Sequence, residues 1–227
     1  MSRIDGFSDV VFGFALTLLV VSLEVPHNFD ELLKAIHGFV PFAICFWLLM
    51  MVWYAHYCFF RRYGLHDLRT ILLNACLLFV VLFYVYPLKF LFTILVSELT
   101  GTNAPTTFAN QSQVTELMVL YGLGSAAVYG LLSLMYWNAW RQREHLQLNG
   151  IEELITRATL IDHAGVACIG LLSCLVAVAL PPGLAGLAGY VYFAIAAYKT
   201  WHGRYYGSRI RKLRESSTQP QEAASIE

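Results

Sequence analysis

The sequence predicts an all-α, polytopic membrane protein with six transmembrane helices and both termini in the cytoplasm. Three observations lead there. Hydrophobic residues make up 58 % of the 227-residue chain and charged residues only 13 %, about half the charged share of a soluble domain. Several apolar runs approach or exceed the roughly 20 residues that cross a hydrocarbon core as a helix. The cations then gather between alternate runs and after the last one.

The six spans are read at about Phe7–Val25, Leu33–Phe60, Thr70–Val96, Gln113–Trp140, Ala164–Leu180 and Leu184–Trp201. The first lacks a basic leader and a small-x-small cleavage site, so it is expected to stay in the protein. Pro26 to Glu31 makes a short outer turn to the second span. Arg61, Arg62 and Arg69 lie between the second and third spans, and Arg141, Arg143 and Arg157 between the fourth and fifth. Arg204, Arg209, Arg211, Lys212 and Arg214 follow the sixth. Only Lys34 and Lys89 fall towards the other face, with Asp30, Glu31, Glu98 and the polar loop Thr100–Ser112. The positive-inside rule therefore puts the termini in the cytoplasm, as an even number of spans requires.

Residues 142–162 read as a polar cytoplasmic connector, partly helical, broken at Asn149 and Gly150. Pro181, Pro182 and Gly183 form a tight outer turn, so the last two spans make a helical hairpin. Residues 1–203 thus form the membrane domain, and 204–227 a tail that is basic and then, from Ser216, polar and disordered. Gly122, Gly124 and Ser125 in the fourth span, with Gly183, Gly186 and Gly189 in the sixth, suit close helix approach. Trp137, Trp140, Trp201, Tyr205 and Tyr206 read as interfacial anchors.

The five cysteines, Cys45, Cys58, Cys76, Cys168 and Cys174, sit in apolar spans without a CxxC pair. They are expected to be small buried hydrophobes rather than disulfides or metal ligands. Asp162 and His163 point about 100° apart on a helix, which suits a helix cap better than a shared metal site. No metal, cofactor or nucleic-acid partner is expected. No nucleophile elbow, zinc-protease, P-loop or dinucleotide motif occurs, so enzyme chemistry is not expected.

The first span carries the functional signal. At about 100° per residue, Phe7, Val10, Phe14, Thr17, Val21 and Glu24 fall on one arc of roughly 100°. Such a stripe is either a packing face or a lining. Thr17 fits both, since its hydroxyl can bond the carbonyl one turn earlier. Arg3 and Asp9 lie about 240° apart, so they cannot pair within the helix and each needs a partner elsewhere, or serves as a positive-inside anchor and a first-turn acid.

Arg3, Phe7, Ser8 and Asp9, running into a span that ends at Glu24 and Pro26, resemble the signature of the transmembrane protein 175 family. Trp53, His56 and Asn74 resemble the residues that accompany it. These proteins are potassium channels of prokaryotic membranes and of animal endosomes and lysosomes, and this chain looks like the prokaryotic, single-repeat branch. The resemblance implies a homotetramer in the cell membrane, with four first helices around a central potassium pore. It implies constrictions at Phe14, Thr17 and Val21, with Val10 also lining and Glu24 at the outer mouth, and no carbonyl filter. It further implies that Arg3, Ser8 and Asp9 bond with Trp53, His56 and Asn74. Family members commonly carry Ile or Leu where this chain has Phe14. The partners expected are copies of the chain, membrane lipid and potassium ions. Two other readings use the same residues: a proton-coupled secondary transporter binding ions at Asp9, His56 and Asn74, and a non-conducting scaffold.

Overall fold

The structure, a computed structural model, describes residues 3–21, 27–101, 110 and 112–224. It is helical throughout: α1 Arg3–Val21, α2 Phe29–Tyr63, α3 Leu68–Thr100, α4 Ser112–Arg141, α5 Gly150–Ala179, a 3-10 segment Pro182–Phe193, and α6 Ala194–Ala224. Four of these, α2 to α5, are long and apolar enough to cross a membrane.

Two sets of helices meet along α3 and α4. In the first, α1 packs on both α2 and α3, burying Phe12, Ala15 and Leu19 with Cys45, Leu49, Phe59, Leu77 and Val81. In the second, α4 and α5 share the most extensive interface. A Cβ at Gly122 would stand 2.7 Å from the carbonyl oxygen of Gly170, and one at Gly170 would stand 2.9 Å from that of Gly122. The two backbones touch because neither residue has a side chain. Gly124 takes the ring of Tyr84 in the same way, joining α4 to α3.

Three expectations about the helices need correction. The sixth apolar run is not one α-helix: residues 182–193 form a 3-10 segment before α6 begins. A 3-10 helix has three residues per turn, so residues three apart eclipse, and here Gly-Leu-Ala repeats with that period. Ala185 and Ala188 are buried while Leu184, Leu187, Tyr190 and Phe193 stand out. The alanines make the contact, and Gly186 and Gly189 face open space.

The fifth helix begins at Gly150, well before the apolar run. Asn149 caps it, accepting from the amides of Ile151 and Glu152 while Glu152 accepts from the amide of Asn149. This capping box starts a helix from polar residues, and it leaves Asp162 inside α5 rather than at a cap. Asp162 instead pairs with Lys199 of α6. Lastly, α6 continues to Ala224, through residues read as a disordered tail. Arg209, Arg211, Lys212, Leu213, Arg214 and Glu215 are good helix formers that carry α6 past the apolar run; nothing in the structure explains the helix from Ser216 on.

The cysteines also divide: Cys45 is buried, whereas Cys76 and Cys168 are exposed on the apolar surface.

Candidate functional site

The face of α1 that packs inward is built around a polar chain. Ser8, His56 and Asn74 are each at most 3 % exposed. The Asn74 amide donates to Ser8 Oγ at 2.9 Å, and Ser8 Oγ donates onward to the Ile4 carbonyl at 2.9 Å. With its nitrogen turned to Ser8, Asn74 presents its oxygen to His56 Nε2 at 2.8 Å. His56 therefore carries a proton on Nε2 in this network. Its ring lies between Phe12 of α1 and Phe60 of α2, with centroids 5.5 and 4.7 Å away. One turn of each helix thus contributes one polar group, and α1, α2 and α3 are tied at a single depth.

Asp9 is held separately. Trp53 Nε1 donates to its Oδ1 at 2.8 Å, and Trp53 stacks on Tyr57. The structure therefore brings together Ser8, His56 and Asn74 in one group and Asp9 with Trp53 in another. Arg3 joins neither; it is exposed and has no hydrogen bond or ion pair to a described residue. Asp9 Oδ1 accepts from Trp53 and Asn74 Oδ1 from His56, so the three residues of the transporter reading fall in two separate hydrogen-bonded groups.

The opposite face of α1 is open. Phe7, Val10 and Phe14 are 64 %, 62 % and 65 % exposed, and Thr17 is exposed beside them. The stripe read from the sequence therefore does not pack on this subunit's own helices. Thr17 donates its hydroxyl proton to the Gly13 carbonyl at 2.9 Å, so its lone pairs remain available on the open side. The Val21 side chain and the whole of Glu24 lie outside the described residues.

Two polar features were not singled out from the sequence. Lys89 of α3 donates to the Leu19 carbonyl of α1 at 3.1 Å. At the other end, Asp67 caps α3, accepting from the Thr70 amide and hydroxyl and from Asn138 of α4 at 3.1 Å. Burial alone would raise the Asp67 carboxyl pKa, but hydrogen bonds from Thr70, Asn138 and Gln142 outweigh it and hold the group below the usual carboxylate range. The basic signals near this end included Arg141 and Arg143, whose guanidinium groups cover Trp137 and Trp140 at 4.9 Å each.

Comparison with known proteins matches these elements. Residues 3–84, which span α1, α2 and half of α3, match the family described as endosomal/lysosomal potassium channel TMEM175. A potassium channel of Marivirga tractuosa is 40 % identical over 93 % of this chain and 90 % of its own length. A potassium channel of Chamaesiphon minutus is 30 % identical over 37 % of this chain and 46 % of its own. The crystal structure of a variant of the potassium channel MtTMEM175, solved with a nanobody–MBP fusion, superposes with a TM-score of 0.81 at 37 % identity, covering 92 % of this chain and 94 % of that one.

Proposed function

Because the chain belongs to the TMEM175 family of potassium channels, we propose that it conducts potassium through a central pore of four subunits in the cell membrane, lined by the open face of α1. It is a channel protein and not an enzyme. Potassium is its permeant ion, and it needs no other cofactor.

One observation carries the lining: Phe7, Val10, Phe14 and Thr17 point away from the subunit on a helix whose other face is locked by buried hydrogen bonds. Thr17 bonds back to the Gly13 carbonyl, so its proton is satisfied within α1 while its oxygen stays on the open face beside Phe14. Four Phe14 rings would form an apolar constriction that gates by dewetting, and four Thr17 oxygens would replace part of an ion's water. Potassium gives up that water more readily than sodium, which favours it at a side-chain filter. Val21 continues the stripe, and Glu24 would draw cations to the outer mouth. Ser8, Asp9, Trp53, His56 and Asn74 orient the helix rather than bind ions.

Potassium and sodium flux from proteoliposomes at matched gradients tests the proposal. Potassium flux should exceed sodium flux, and Phe14→Ala should raise conductance by about two- to fivefold while lowering selectivity. Equal flux of both ions, or none from a folded assembly and its Phe14→Ala variant alike, would refute it.

A further inference from the structure

Lys89 looks in the sequence like an ordinary cation near the outer end of a span. A lysine there normally extends its stem to put the ammonium in water. Here the ammonium ends on the Leu19 carbonyl of α1 at 3.1 Å. Leu19 lies near the outer end of the described part of α1, Arg3–Val21. A backbone carbonyl oxygen carries two lone pairs, so it can accept from a lysine in addition to any bond within its own helix. The ammonium thereby has an acceptor between α1 and α3.

The geometry matters because α1 then has two ties to the same helix. At the inner end Ser8 accepts from Asn74; at the outer end Leu19 accepts from Lys89. The tied residues are eleven positions apart, about 16 Å along the axis. One tie leaves a rigid helix free to pivot, whereas two fix its tilt and rotation. Val10, Phe14 and Thr17 lie between the ties, on the opposite face from the buried Ser8 and Leu19.

We propose that Lys89 is a positioning residue for the permeation path: its bond to Leu19 sets how closely the outer halves of the α1 helices approach, and so sets ion selectivity at Thr17. The ammonium acts through the helix backbone and from behind it, without facing the ions. This rests on α1 lining the pore.

The test is the potassium-to-sodium permeability ratio, taken from bi-ionic reversal potentials of the reconstituted full chain. Lys89→Met keeps the apolar stem and removes the donor; the ratio should fall about fivefold or more. Lys89→Arg restores a donor and should hold the ratio within about twofold of the wild type. If four Lys89→Met subunits fail to assemble, mixed assemblies in which only some subunits carry the change should show a graded loss. Thr17→Ala, run in parallel, separates the two levels. A wild-type ratio in Lys89→Met or in the mixed assemblies, with Thr17→Ala impaired, overturns the role of Lys89 alone. A wild-type ratio in Thr17→Ala overturns the pore lining, and the role of Lys89 with it.

Discussion

Asn74 spends both ends of its amide between helices, giving a proton to Ser8 of α1 and taking one from His56 of α2. Asn74→Leu fills a similar volume but orphans both partners. Inter-helix hydrogen bonds in membranes average below 1 kcal/mol, so the loss should total about 1–2 kcal/mol, seen as a lower unfolding temperature in mild detergent. An unchanged temperature would mean that packing of Phe12 and Leu19 suffices. Asp67 gives a pH-dependent case. Its folded pKa lies below the ordinary 3.8, so its stabilisation is complete above the unfolded value and fades as pH falls through the lower folded one. Asp67→Asn should therefore melt below the wild type at pH 7, with the gap closing below about pH 4. At this scale the motif residues were legible because Ser8, His56 and Asn74 are polar groups in apolar spans at matched depth. Lys89 and Asn138 were not, because their partners depend on which way a side chain runs between helices. Arg3 was expected in the network and stands outside it.

At the scale of elements, small residues decide how α4, α5 and the 3-10 segment fit. Gly122→Val would drive a side chain into the Gly170 carbonyl and Cys174, and overpacking of this kind costs about 1–3 kcal/mol. Gly186→Ala meets open space and should leave the unfolding temperature unchanged. Measuring both variants together distinguishes contact from composition, since both are glycines in apolar runs. The sequence located the Gly122 contact and misassigned Gly186. An apolar run has the same length signal whether it winds as α or as 3-10, and only the three-residue Gly-Leu-Ala repeat separates the two. Likewise, α5 starts early because a capping box, not hydropathy, sets a helix start. The turn at Pro181 was legible, and Leu184 donates to the Pro181 carbonyl at 2.8 Å.

For the whole molecule, the basic ends of α2 and α4, the basic middle of α6 and the apolar lengths of α2 to α5 describe a membrane protein, and its relatives place it among potassium channels. What remains is whether the open face of α1 carries the ions. Cadmium block of Thr17→Cys, in a background with the five native cysteines replaced, asks this directly. Four thiolates around one axis would bind a soft cation tightly, so micromolar cadmium should stop the potassium current reversibly, while the same background without Thr17→Cys stays open. Current that persists in Thr17→Cys after the thiols are shown by mass to be cadmium-loaded would put Thr17, and the face it shares with Phe14, outside the pore.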